Sequence, residues 1–533
     1  MKKLFLLILL LPIIAGCEKF LNPEQIDLTY NEVFWSSQSD AEKAVMGLYS
    51  TYRGVMLNSQ WYERGDVTTG FFHTGWNGGS SNKLYLPGDF DNKTGTDKSW
   101  GSLESFADWS GYYKVVAQAN LAIKHIELMS DNLFDSGKKE KLLGEAHFIR
   151  GLVYFNIARI WGNVPLVTEA IESSDQVLND DRTLVEKARS TDTEIMDFVL
   201  GEVNQAVSML DYGVPGTSEW GIRANKGSAQ ALAGHVNLWM DFIQKRDGAS
   251  PGDEYVDAAI TALEALVTYG NYSLVNYDNP SAVADMYIGQ SSEAVFELNI
   301  SLDDGESYRI DYGGIVNLTS KVVPLDGDET KDRANKINFV PASKKQLIFP
   351  EYPTDKRADL FFEAWESTYE TAFSDVSIES PCRDSVTYLL KYSAMTIDPA
   401  RQWNEYQAYF SEANIPVFRY SGIKLLLAEA YAKKGTADGQ AIAIVNEIRN
   451  RAGLLPYSGT DLIAEILQQR TSELIGEGHI FFDYVRNNYY SNVQVMTSTR
   501  VLQEGYYWPV SSNVLTSNKL IHQTPYWNGK TVW

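Results

Sequence analysis

The chain has 533 residues, 44% of them hydrophobic, and its 46 basic and 69 acidic side chains give a formal charge of −23. That is material for one large core or two fused ones. The charge argues against nucleic acid as a partner, because binding it depends on neutralising phosphates with Lys and Arg.

Lys2 and Lys3 precede a largely apolar run from Leu4 to Ala15, which leads into Ile14-Ala15-Gly16-Cys17. A charged start, a short apolar run and small residues before a cut make residues 1–16 a secretory signal. The run is too short to cross a hydrocarbon core of roughly 30 Å as a helix. An aliphatic residue three positions before a Cys that follows the cut resembles the lipobox of bacterial lipoproteins, in which the Cys becomes the lipidated first residue. One acyl chain holds only marginally, whereas the several that such proteins carry would anchor Cys17 firmly. The only other cysteine, Cys382, then has no disulfide partner, so stability must come from packing. No later apolar run approaches the length of a membrane span.

After a tether from Glu18 to Leu28, apolar residues at Ala41, Ala44, Val45, Leu48 and Tyr52 predict a helix near Asp40 to Tyr52. The helical period disappears from about Gly54 to Gly111. It resumes at Tyr112 (Val115, Val116, Ala119, Ile123, Ile126), and again from about Lys138 to Trp161, stopping at Gly162 with Pro165 beyond. Thr191-Asp-Thr-Glu194 has capping-box spacing ahead of Ile195, Phe198 and Val199. Helices near Lys226–Gln244 and Glu254–Tyr269 form a further pair. From about 271 to 413 the period is lost again, in a Tyr-rich stretch expected to mix short strands, turns and a few helices.

The module from Arg419 to Arg486 sets the architecture. Ile423, Leu426, Leu427, Ala430 and Tyr431 form an amphipathic ladder that ends at Gly435. A second helix carries Ala441, Val445, Ile448 and Ala452, with Gly453 at its C-terminal cap. Leu427, Ala428, Tyr431, Gly435 and Ala441 fit the tetratricopeptide pattern of two close-packed antiparallel helices, provided the turn holds one extra residue. The expected fold is mainly α. It is a tetratricopeptide-like scaffold of helical pairs with two large irregular inserts, about 54–111 and 271–413, intertwined as one domain over 17–533 because the pairs are dispersed rather than tandem. An aromatic tail closes the chain.

Several motifs resemble one family. Trp109-Ser-Gly-Tyr112 leading to Ala119-Asn120, then Glu145-Ala-His-Phe-Ile-Arg150 with Trp161-Gly-Asn-Val-Pro165, look like its early and central helices. Arg419-Tyr420, Ala428-Glu429-Ala430, Asn446-Glu447-Ile-Arg449-Asn-Arg451-Ala452-Gly453 and Glu473-Leu-Ile-Gly-Glu477-Gly478 match its C-terminal signature, and Trp508-Pro509-Val510 and His522-Gln523-Thr-Pro525-Tyr526 its closing segments. The family is SusD/RagB, outer-membrane lipoproteins of Bacteroidetes, and the resemblance covers nearly the whole chain. Gln469 and Thr471 flank Arg470 where the family tends to read Glu-Arg-Arg, and His479 replaces a usual Arg, which puts a local ion network in question. The resemblance implies a surface-exposed, lipid-anchored protein that captures oligosaccharides, or in some branches peptides as RagB does. It would hand them to a SusC-like TonB-dependent transporter without catalysis or cofactor.

A sugar binder needs flat aromatic platforms and polar groups for hydroxyls. The first insert offers Trp61, Trp76, Trp100 and Trp109 near Arg64, Asp66, Asn77 and Asn82; the second offers Tyr308 and Tyr312 beside Arg309 and Asp311, with Trp365 and Tyr369 further on. Trp109 and Tyr112, spaced i and i+3 at a helix start, also fit a core. Trp76, in Thr-Gly-Trp-Asn-Gly-Gly, has neighbours too small to cover it. Enzyme signatures are missing: no His-x-x-x-His or Cys cluster for zinc, no Gly-x-Ser-x-Gly elbow, no phosphate loop. A surface glycan hydrolase stays as the rival reading, since carboxylate pairs cannot be read from spacing. The acidic run from Asp326 to Asp332 lacks EF-hand register and reads as a solvated turn rather than a Ca²⁺ site.

Overall fold

The computed structural model describes residues 34–58, 64–74, 107–173, 185–250, 252–300, 338–362, 386–387, 389–392, 395–403, 406–411, 413–490 and 496–529, with isolated residues 176, 178, 179 and 493. The signal sequence, Cys17, Cys382 and the Asp326–Asp332 run lie outside them.

Helices α1 (Gln38–Asn58), α2 (Ser110–Leu128), α3 (Lys138–Trp161), α4 (Asp192–Met209), α5 (Lys226–Arg246) and α6 (Glu254–Tyr269) each pack on the next. The stack then continues from α6 to α7 (Tyr420–Lys434), skipping the whole intervening stretch, and on to α8 (Asp438–Arg451) and α9 (Leu462–Leu474). A short α10 (Ile480–Arg486) follows α9. The scaffold is therefore mainly helical and spatially continuous, although its members are scattered in sequence.

Local chemistry sets the helix ends. Thr191 Oγ1 accepts from the Glu194 amide at 3.2 Å, while the Thr191 amide donates to Glu194 Oε2 at 2.8 Å, so the capping box forms. Gly162 terminates α3 at φ +70°, and Gly435 terminates α7 in the left-handed region at the same angle. The connection from Gly435 to Ala437 is too short for anything but an antiparallel return, and Ala428 and Ala441 are fully buried where the two helices meet.

Two boundaries differ from the sequence reading. Helix α1 runs through Gly54 to Asn58, because Met56 and Leu57 bury their side chains and nothing crowds the glycine. Helix α2 starts at Ser110, so Gly111 lies inside its first turn. Tertiary packing outweighs the roughly 1 kcal/mol propensity cost of a helical glycine.

Helices α3 and α5 are buried on nearly every side, being covered from both faces of the stack. Their interior polar groups are paired. Arg150 forks onto Glu202 at 2.6 and 2.7 Å and donates to Asn120 Oδ1 at 2.9 Å. The Asn120 amide in turn donates to the carbonyls of Val167 and Glu169. The Ala-Asn pair thus fastens the segment after the Pro165 turn.

Among the described residues strands are few and short. β1 (His73–Thr74), β3 (Asn338–Pro341) and β4 (Val386–Thr387) form one antiparallel sheet in the order β1-β3-β4. β2 (Ala294–Leu298) pairs with β7 (Ile415–Arg419), and both are buried along their whole length. β5 (Met395–Trp403) and β6 (Tyr406–Ser411) pair antiparallel. The region from 271 to 413 does mix short strands with short helices, including Pro280–Ile288 and Arg357–Phe361.

The tail is more ordered than a loop. Short helices Ser498–Leu502 and Ser512–Ser517 lie within it. It folds back on α3: the Trp508 amide donates to the Ile160 carbonyl at 2.8 Å and the Trp161 indole to the Pro509 carbonyl at 3.0 Å. Gln523 pairs both ways with the Val510 backbone, at 2.8 and 2.9 Å.

Candidate functional site

The three-stranded sheet gathers described residues that flank stretches of the two inserts. Thr74, from which residues 75–106 depart, stands opposite Asn338, at which residues 301–337 end. Val386, at which 363–385 end, stands opposite Pro341 at the far end of the same β3. Strands this short have little stability in isolation. They persist because Phe71, Phe72, Val340 and Thr387 bury their side chains beside them.

Of the candidate ligand groups, Trp61, Trp76, Asn77, Trp100, Tyr308 and Tyr312 lie outside the described residues, and Arg64, Asp66 and Trp109 lie inside. These three are interior, with 1%, 0% and 4% of their surface exposed; for Trp109 this is the core position that its spacing from Tyr112 fits, while Arg64 and Asp66 are turned inward rather than toward a ligand. The Arg64 guanidinium lies over the rings of Trp161 and Trp508, at 5.0 and 5.5 Å, and donates to the Tyr112 hydroxyl at 3.3 Å. Trp109 packs edge-on against Trp161 at 5.9 Å. Asp66 Oδ2 accepts from the Gly478 amide at 2.9 Å and Oδ1 from the Ile480 amide at 3.1 Å. Burial nevertheless pushes its carboxyl up to about 7. Gly65 is required here, since a Cβ would sit 2.0 Å from the Gly478 carbonyl oxygen. The stem of the first insert is thus bolted to the Glu477-Gly478 turn.

That turn sits in a buried charge network. Arg419, at the end of β7, donates to Glu473 Oε1 at 2.8 Å, Glu293 Oε2 at 2.9 Å and Glu477 Oε1 at 2.9 Å. Arg451 bridges Glu293 and Glu473 at 2.5 and 2.7 Å. Arg357 forks onto Asp355 and lies 3.5 Å from Glu473 Oε2. Lys391 donates to Glu477 Oε1 at 2.6 Å and to the Glu473 carbonyl at 2.8 Å. Four cations thus meet four carboxylates with almost no solvent. Burial raises the Glu473 carboxyl, but Arg451, Arg419 and Arg357 outweigh it and hold the group well below the usual range. For Lys391 burial wins, bringing the ammonium down to about 8.

A second set joins Arg470 to Asp483 at 2.6 Å, Asp483 to Arg486 at 2.8 Å and Arg486 to Glu429 at 2.7 and 2.8 Å. Burial pushes Glu429 up, yet Arg486 prevails and sets it at about 2. The family departures do not open this set. Gln469 accepts from Arg357 and donates to Glu465, both at 2.9 Å, so it ties the first network to the Arg449–Glu465 pair as a neutral bridge. His479 stacks 6.0 Å from His235, and burial lowers it to about 4, so it occupies the arginine's place uncharged.

The C-terminal signature is legible in full in the sequence. Its partners Glu293, Asp355, Lys391 and Tyr277, whose hydroxyl donates to Glu473 Oε1 at 2.5 Å, carry no signal in the sequence, because they sit in the aperiodic stretch and meet the signature only in space. A cleft of about 480 Å³ lies between α1 and β2, lined by Met46, Ser50, Arg53, Arg223, Leu298 and Asn299. Its one aromatic, Tyr49, is turned into the core. Among the described residues no His, Cys, Asp and Glu group is placed to hold a metal ion, and no helix is long and apolar enough to cross a membrane.

Two family models match the chain, one described as SusD family over residues 367–527 and one described as starch-binding, associating with outer membrane, over residues 77–238. SusD-like protein P38 of Formosa agariphila is 27% identical over 98% of both chains. This chain belongs to the SusD/RagB family. SusD-like protein P25 of the same organism is 22% identical over 88% of this chain and 87% of its own. The SusD fold is also that of a SusD homologue from Bacteroides thetaiotaomicron, at 24% identity and a TM-score of 0.74, covering 92% of this chain and 99% of that one. NanU of B. fragilis, at 21% identity and a TM-score of 0.71, covers 95% and 99%. The model matched over residues 77–238 thus describes its members as starch-binding and ties them to the outer membrane.

Proposed function

We propose that this SusD/RagB protein is a cell-surface lipoprotein, acylated at Cys17, that binds oligosaccharides without altering them and passes them to a SusC-like TonB-dependent transporter. Trp76, Trp100 and Trp61, with Asn77, would supply stacking faces and hydroxyl partners, joined by Tyr308 and Tyr312 from the second insert. One observation carries the reading. The stems of the two aromatic-rich inserts are paired on one sheet, Thr74 against Asn338, so residues from distant parts of the chain start from one place. Arg64, Asp66 and Trp109 serve that arrangement by fixing the first stem.

The test is affinity electrophoresis and calorimetry of the mature protein over a polysaccharide panel. At least one glycan should retard it, and Trp76→Ala or Trp100→Ala should weaken binding roughly tenfold, about 1.4 kcal/mol. Binding that survives both substitutions moves the site elsewhere. Retention of peptides and no glycan replaces the ligand class, and multiple turnovers of a labelled oligosaccharide make the protein a hydrolase. Co-purification of a β-barrel from outer membranes checks the transporter.

A further inference from the structure

The segment Gly476–Ile480 is held by more parts of the fold than any other turn described above. From the first stem, Asp66 takes its Gly478 and Ile480 amides, and Gly65 touches the Gly478 backbone. From the second insert, Lys391 donates to Glu477, the Tyr392 hydroxyl donates to the Gly476 carbonyl at 2.9 Å, and Leu389 packs against Gly476 so closely that a Cβ there would meet it at 2.3 Å. Tyr287 and Arg419 close the third side on Glu477, at 3.3 and 2.9 Å. Gly476 and Gly478 both take positive φ, +84° and +81°, which turns the amides of 478 and 480 toward Asp66 while the Glu477 side chain points to Lys391.

We propose that this turn is the joint that holds the two inserts in register, with Asp66 the positioning residue on the first and Lys391 on the second. The grip on each side depends on the turn keeping one backbone shape. Releasing either side frees that shape and loosens the other, a coupling carried by a contiguous element rather than by direct contact. For ligand capture the inference rests on the glycan reading above; for the mechanical coupling it does not.

Backbone amide exchange on the full mature protein tests the coupling directly. Asp66→Asn should speed exchange at 389–392, and Lys391→Met should speed it at 64–74, each about tenfold and reciprocally. A variant that loosens only its own side overturns the joint. Should either variant fail to fold, Gly65→Ala, which presses on the same turn from the first stem, takes its place with the same expectation at 389–392. With a glycan that the wild type binds, each substitution should weaken binding about tenfold, and the double variant should be no worse than either single one. A hundredfold loss in the double variant, meaning independent effects, also counts against the joint. A wild type that binds no glycan defeats the capture reading and leaves the exchange result to decide the joint.

Discussion

Arg419 shows what a buried charge is for in this fold. Its guanidinium spans three carboxylates from two distant parts of the chain, Glu293 and the Glu473–Glu477 segment, and with 4% of its surface exposed it has no water to fall back on. A buried ion network adds little net stability over an apolar core, but removing one partner leaves the others uncompensated. Arg419→Met should therefore cost about 3–5 kcal/mol, read as a fall in the urea midpoint, and Arg419→Lys should recover only part of it because a point charge cannot fork. This network marks where sequence reading stops. Arg419, Glu473 and Glu477 were visible as a motif, yet their role was not, since Glu293 and Lys391 give no sign in sequence of meeting them. The interior placement of Arg64 and Asp66 is hidden from the sequence for a related reason. A polar residue in an aperiodic, glycine-rich stretch looks solvated unless the backbone amides that receive it are known.

Helices were legible where one face alone is buried, and least so at their ends. The capping box of α4 was readable because its geometry is local: Thr191 and Glu194 satisfy each other's amides within one turn. Thr191→Ala should cost about 1 kcal/mol and speed amide exchange in the first turn of α4 about fivefold, with α5 unaffected. The tetratricopeptide pair at α7 and α8 was legible for the same reason, its small residues and its Gly435 cap lying within one short window. The sheet was not. β1 has two residues and β4 two, too few for a periodicity to announce them, and the β3 strand that both pair with lies far from β1 in sequence and beyond residues 342–385 from β4.

At the scale of the molecule, pH acts through groups kept neutral or ionised by burial. His235 and His479 are held below their ordinary value by burial, the latter at about 4. The unfolded chain, with histidines near 6.5, takes up protons that the folded one refuses as pH falls from about 6.5 toward 4, so stability is lost through that window. Asp66 works the other way. Its folded value of about 7 lies above the unfolded one, so its contribution is fully present at low pH and is lost as pH rises from about 4 toward 7. Burial raises Glu145 and Glu297 as it does Asp66. It also pushes on Glu202, Glu429, Glu473 and Glu477, but their cations outweigh it and hold them low. These four, like the histidines, withdraw stability on acidification, and thermal unfolding should move to lower temperature from pH 6.5 to about 4.5. His479→Gln should flatten that slope, which scanning calorimetry at several pH values would register.

The folding back of the tail onto α3 has a consequence for how the protein is made. Trp161 finds its hydrogen-bond acceptor at Pro509, 348 positions later, and α6 finds its neighbour α7 only after the whole second insert. A ribosome delivering this polypeptide from its N-terminus therefore releases most of it before the final contacts exist. Loop closure of that span adds only modest entropy per doubling of length, yet so many distant pairings make assembly slow. The contacts that cover Trp161 and join α6 to α7 form only after Pro509 and Tyr420–Lys434 have emerged, and until then those faces lack their native cover.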